Sequence, residues 1–262
     1  MAENENKQET EQTESKGSAA LGFALYKDAN FDWPRFRHYL KEDWGIEFQE
    51  EPKDGATVFR VGDQMAACSL MPMPVPEHEA EECAKNNVLW EHAEQEVAKH
   101  SAHLLLAVMD HGQPLEQALL LCKLASSAMK LKNAIGFYHN PTVYEKDFYV
   151  QNAKVMKDDE LPMPILIYTH MYLSQAAQGS VLNGFTYGLR RFGKEEIEIL
   201  ETSAQPQELF GFLMSIAEYT LTSDEELKDG DTIGFTEDEK LPIKLSDAVN
   251  FTGQSLKIGF MN

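Results

Sequence analysis

The stretch GFTYGLRRFGKEEIEIL, Gly184 to Leu200, gathers glycines, the arginine pair Arg190 and Arg191, and the carboxylates Glu196 and Glu198. Glycine-flanked amides beside arginines can cradle an oxyanion such as a nucleotide phosphate. Carboxylates beside arginines in a cleft can instead serve a hydrolase. The spacing argues against a phosphate loop. Gly184, Gly188 and Gly193 are four and five residues apart, whereas a dinucleotide fingerprint needs G-x-G-x-x-G. Gly188, Gly193 and Lys194 fit part of the G-x-x-x-x-G-K-[ST] pattern, but Glu195 stands where a hydroxyl would hold magnesium. The residues that follow alternate Glu-Ile-Glu-Ile, which predicts a strand with one wet face, and a phosphate cradle needs the free amides that open a helix. We therefore read the glycines as a bend or bulge. Arg190 and Arg191 are left to bind an anion, or to pair with Glu196 and Glu198 across a hairpin.

Other reactive residues form no set. His92, His100 and His103 lie near Glu77, Glu79, Glu81 and Glu82. They make no H-E-x-x-H, and His103 reads as a buried, hydrogen-bonded residue opening a strand. Asp229 to Lys240, DGDTIGFTEDEK, imitates a calcium loop at its first, third and sixth positions, but Ile233 and Lys240 occupy positions that should carry ligands. No G-x-S-x-G elbow occurs. Cys68, Cys83 and Cys122 form no C-x-x-C pair and sit among apolar or helix-compatible residues, so reduced thiols are expected. No cofactor and no metal is expected.

The elements that must position these residues follow from periodicity. Residues 1–18 carry hardly an apolar side chain and read as a floppy tail. Ala19 to Lys27 reads as a strand, and a helix begins near Asp32 with Pro34 in its first turn. IEFQEE, ATVFRV and QMAACSLMPM read as strands. Pro72, Pro74 and Pro76 then enforce an extended connector that presents Met71 and Met73. A helix broken near Asn86 and Asn87 leads to the buried strand SAHLLLAVMD. The second half has a helix covered on most sides by Leu and Ala (QPLEQALLLCKLASSAMKLKNA), the strand IGFYH and a short helix near EKDFYVQNAKVM. Two long strands follow, MPILIYTHMYLSQ and GSVLNGFTYGL. The strand after Lys194, the amphipathic helix QPQELFGFLMSIAEYTL, and the short strands DTIGF, KLPIKL and SLKIGFM complete it. The fold class expected is α+β: two β-α-β-β-α-β-like units with mixed or antiparallel sheets and helices on the sheet faces. Residues 19–110 and 111–262 would be the two lobes, able to form one compact domain.

The totals limit the partners. With 43 acidic and 23 basic residues the formal charge is −20. Such a surface repels phosphate backbones, so no nucleic acid is expected, while a basic protein partner would be attracted. No apolar run is long enough for a membrane span, and a cytoplasmic protein is expected.

Taken together, SLMPMPVPEHEA, AHLLLAVM, AIGFYH, LPMPILIY and GFTYGLRRFGKEEIEIL followed by LKDGDTIGF resemble the bacterial family catalogued as domain of unknown function 4261, from about Ala19 onward. The G-L-x-x-F-G-x-x-E-I-E-I block, Gly188 to Ile199, is the most specific part. The resemblance implies no catalytic residue. A looser similarity of rhythm links this block to suppressor-of-fused-like modules, some of which act as immunity proteins. The leading expectation is a regulatory, immunity- or inhibitor-like module for a basic partner. The alternative is a hydrolase using Glu196 or Glu198 with Arg190 and Arg191.

Overall fold

Two strands rich in apolar residues, β1 (Ala20–Tyr26) and β4 (Ala102–Asp110), pair antiparallel at the centre of a six-stranded sheet. The computed structural model describes residues 19–85, 87–110, 112–176, 179–234 and 240–261. On one side of this pair lie β3 (Gln64–Met71) and β2 (Ala56–Val61); on the other lie β5 (Ala134–His139) and β6 (Thr142–Glu145). Every neighbouring pair in this sheet is antiparallel. A second sheet has the order β10 (Thr232–Ile233), β11 (Leu241–Asp247), β12 (Gln254–Ile258), β9 (Ile197–Thr202), β8 (Gly179–Tyr187), β7 (Tyr168–Ala176). It is antiparallel except where β12 runs parallel to β9. The fold is α+β, and the first sheet takes strands from both sides of residue 110.

The helices begin where capping chemistry places them. In α1 (Trp33–Trp44) the Asp32 carboxylate accepts from Arg35 N at 3.0 Å, and Pro34 fits the first turn, where no amide partner is needed. Two longer helices, α4 (Pro114–Met129) and α7 (Pro206–Thr222), share one device: a glutamine cap and a glutamate three residues inside exchange hydrogen bonds, with proline at the first helical position. α4 packs on β1, β4 and β5, while α7 packs on β7 and β8. Gly184 of β8 is required by this second contact, because a Cβ there would stand 2.9 Å from Leu213 and 3.0 Å from Leu209 of α7. The opposite face of the first sheet is covered by α2 (Glu79–Ala84) and α3 (Ala93–Val97), over Leu25, Ile135 and Tyr138.

Several expectations need correction. IEFQEE is not a strand. Ile46 is buried and Phe48 stacks on Phe59 with ring centres 3.9 Å apart, so its alternation reports burial without ladder pairing. The start of MPILIYTHMYLSQ is a helical turn, α6 (Met163–Leu166), because Pro164 suits a first turn and offers no strand donor. The short strand β6 went unforeseen, and it is followed by α5 (Lys146–Ala153), the short helix expected there. The helix after Pro76 is two short pieces. Between them Asn87 Oδ1 accepts from Leu89 N and Trp90 N, and its Nδ2 donates to Val143 O of β6 at 2.6 Å. The tail expected over residues 1–18 lies outside the described residues, as do positions 235–239 of the acidic loop.

Candidate functional site

Between β8 and β9 the chain makes one tight helical turn, Leu189–Phe192, bounded by Gly188 at φ 127° and Gly193 at φ 70°. A side chain at Gly188 would be strained, so glycine there is a backbone requirement. The turn does gather amides around an oxyanion, and that oxyanion is internal. Glu196 Oε1 accepts from Gly188 N at 2.7 Å and Arg190 N at 3.2 Å, and Oε2 accepts from Thr186 Oγ1 at 2.9 Å. Thr186 Oγ1 in turn accepts from Ile197 N at 2.8 Å. The bend is thus closed by its own carboxylate, with extended backbone after it, as the alternating Glu-Ile pattern requires.

The expected wet face of β9 is absent. Glu196, Ile197, Glu198 and Ile199 are all buried. The loop before β12 folds over Glu198, whose Oε1 accepts from Asn250 N at 2.9 Å and Asn250 Nδ2 at 2.7 Å. Its Oε2 accepts from Ser255 Oγ at 2.7 Å, Val249 N lies 3.1 Å from both oxygens, and Lys257 Nζ stands 3.5 Å away. Burial pushes the Glu198 carboxyl up, but these donors outweigh it and hold its pKa below the ordinary value.

Neither guanidinium forms an ion pair with Glu196 or Glu198. Arg190 donates to Thr252 O at 2.8 Å and Gln254 O at 2.6 Å, lies over the Phe251 ring at 5.1 Å, and reaches Glu195 only at 3.9 Å. Arg191 turns the other way, donating from Nη1 to His139 Nε2 at 2.6 Å and from Nη2 to Asn140 O at 3.0 Å. One face of Arg191 stays in solvent while protein surrounds the rest, and that burial lowers its pKa from the ordinary value; a guanidinium remains charged. Burial first, and then Arg191, lower the His139 pKa to about 3, so its imidazole is neutral.

Arg191 stands at the mouth of a cavity of about 360 Å³. Leu21 and Phe23 of β1, Ala118 and Leu121 of α4, Ile165 of α6 and Phe192 contribute to its wall. Cys122 and Tyr149 also face it, and burial pushes the Cys122 thiol up to about 11, so it is protonated near neutral pH. Of the four residues proposed from sequence as a binding or catalytic set, Arg191 lines this cavity, while Arg190, Glu196 and Glu198 do not. His139 was missed, and its position ending the apolar strand AIGFYH was the available signal.

Of the histidines near the glutamates, His92 is exposed, with its Nε2 3.5 Å from Glu91, while His100 and His103 are structural. His100 is buried, its Nε2 accepting from Val75 N at 2.9 Å while Nδ1 lies 2.6 Å from Val97 O. His103 is buried and bonds Met73 O at 2.9 Å, as expected of a strand-opening histidine. In the acidic loop, Asp229 and Asp231 accept from the backbone amides of Leu245 and Lys228.

Residues 185–259 match the family described as Domain of unknown function (DUF4261). The match spans less than a third of the chain. The DUF4261 segment contains the whole Gly188–Ile199 block and both carboxylate clusters, and it supplies Tyr187, Arg191 and Phe192 to the cavity. LKDGDTIGF also lies within the matched residues, whereas SLMPMPVPEHEA, AHLLLAVM, AIGFYH and LPMPILIY precede them. No curated protein and no solved structure matches the chain. Among the described residues no helix is long and apolar enough to cross a membrane.

Proposed function

We propose that the chain is a binding module of regulatory, inhibitor-like type whose acidic surface meets a basic protein partner. The observation that carries this reading is the assignment of the block's carboxylates. Glu196 and Glu198 are buried and saturated with donors from their own chain, which leaves neither oriented toward a substrate. A hydrolase built on them would first have to break those bonds. The surface supports the binding role. Glu77, Glu79, Glu82, Glu91 and Glu94 are exposed along the cover of the first sheet, and Met73 and Val88 beside them are 52% and 48% exposed. Charge attraction at such a surface speeds encounter, and the apolar side chains supply contact area.

The test is a pull-down from a lysate over a series of salt concentrations. A basic partner is expected at low salt and is released as screening increases. Recovery of no partner, or binding indifferent to salt, contradicts the proposal. The hydrolase reading is tested by Glu196→Gln and Glu198→Gln in a hydrolase activity screen. Turnover by the native chain that both substitutions abolish would restore it.

A further inference from the structure

We propose that the cavity behind Arg191 is a binding site for a small molecule with a carboxylate head and an apolar body, the head held by the Arg191 guanidinium. This site is separate from the acidic surface and stands or falls independently of it.

The charge on Arg191 is the first argument. In a chain of formal charge −20, cations readily find carboxylates. Lys130 and Lys157 sit on Asp43, Lys257 lies near Glu198, and Arg190 approaches Glu195. Among the described residues no acidic side chain comes as close to Arg191. Its fixed partners are neutral acceptors, His139 Nε2 and Asn140 O, which orient the guanidinium without cancelling its charge. They engage the two terminal nitrogens once each at close range. A guanidinium has five N–H donors, so the fork keeps capacity for two parallel bonds to a carboxylate. Glu196, whose charge also acts on Arg191, is already held by Gly188 N, Arg190 N and Thr186 Oγ1.

The wall gives the second argument. The cavity volume of about 360 Å³ lies within the roughly 300–1,000 Å³ usual for small-ligand pockets. Most of its lining is aliphatic or aromatic, and burial keeps Cys122, Tyr149 and His139 of the wall neutral near pH 7. Leu21 and Tyr187 also line it, yet each keeps a large exposure, 40% and 39%. An apolar body entering there would cover both. A monoanion fits better than a phosphate dianion, because one guanidinium in a strongly negative protein compensates one charge.

The experiment is calorimetric titration of the full chain with sodium octanoate, 1-octanol and octylammonium chloride. Octanoate is expected to bind one per chain and at least about tenfold tighter than octanol, the difference a charged hydrogen-bond pair makes. Octylammonium is expected to bind weakest. Arg191→Gln should bring octanoate down to the level of octanol and leave octanol unchanged, with thermal melting confirming that the variant folds. Ala118→Leu, which fills the cavity from α4, should weaken both. Octanoate no tighter than octanol on the native chain overturns the proposal. So does octanoate binding that either variant leaves unaltered. Should Arg191→Gln fail to fold, the three-ligand comparison on the native chain and Ala118→Leu decide.

Discussion

Glu198 and Arg191 belong to one block of sequence and have opposite surroundings. The carboxylate is sealed under the loop before β12, with amides, a hydroxyl and a nearby lysine converging on it. The guanidinium keeps a face in solvent at a cavity mouth and rests on two neutral acceptors. A buried charge satisfied on every side holds structure together, since removing it leaves its donors unpaired. A cation oriented with no carboxylate in direct contact keeps part of its field for something outside the chain. Both residues have the chemistry of an active site; saturation separates their roles.

That contrast can be broken by substitution. The largest effect is expected from Glu198→Ala, which orphans Val249 N, Asn250 N and Ser255 Oγ beside Lys257. A loss of about 3 kcal/mol in urea denaturation is expected, and a loss under about 0.5 kcal/mol, the range of ordinary surface substitutions, would place Glu198 among surface residues. The pH dependence carries a sign. The folded Glu198 pKa is lowered, so its contribution is full above the unfolded value of about 4.3 and falls away as pH drops through the lower folded value. Glu198→Gln should flatten that acid limb. Next comes Gly188→Ala, about 2 kcal/mol, because φ 127° is foreign to alanine; an unchanged melting temperature would refute the strained turn. Glu196→Gln should cost about 1 kcal/mol, since an amide oxygen can replace only one of two accepting oxygens.

The smallest effect at neutral pH is expected at His139. Its folded pKa of about 3 lies below the unfolded value of about 6.5. Between these values the unfolded chain binds more protons, so the stability contributed by keeping this imidazole neutral is full above about pH 6.5 and declines as pH falls toward 3. Denaturation at pH 7 and pH 5 should show a slope that His139→Gln reduces; an identical slope in the variant contradicts a His139 imidazole held neutral by burial and by Arg191.

Much of the scaffold was legible because local rules and burial agree there. β1, β4, α4 and α7 show clear periodicity, and Pro34, Pro114 and Pro206 mark helix starts. The errors arose where packing partners are distant. Ile46 and Phe48 alternate like a strand but pack as an irregular segment, because Phe48 meets Phe59 from across a turn. Glu196 and Glu198 read as solvent-facing because nothing near them in sequence announces a cover. Glu198 is sealed by residues 51 and more positions away. Arg191 likewise finds His139 across 52 positions. The bend at Gly188 and Gly193 could be read from residue types, while the identity of the oxyanion filling it required the fold.

The claim most directly open to measurement is that the turn amides are already occupied by Glu196. Backbone amide shifts of the native chain, followed by NMR as inorganic phosphate is added, test it. The account predicts that Gly188 N–H and Arg190 N–H remain unmoved across the titration. A saturable shift of those two amides, with phosphate displacing Glu196, would contradict it.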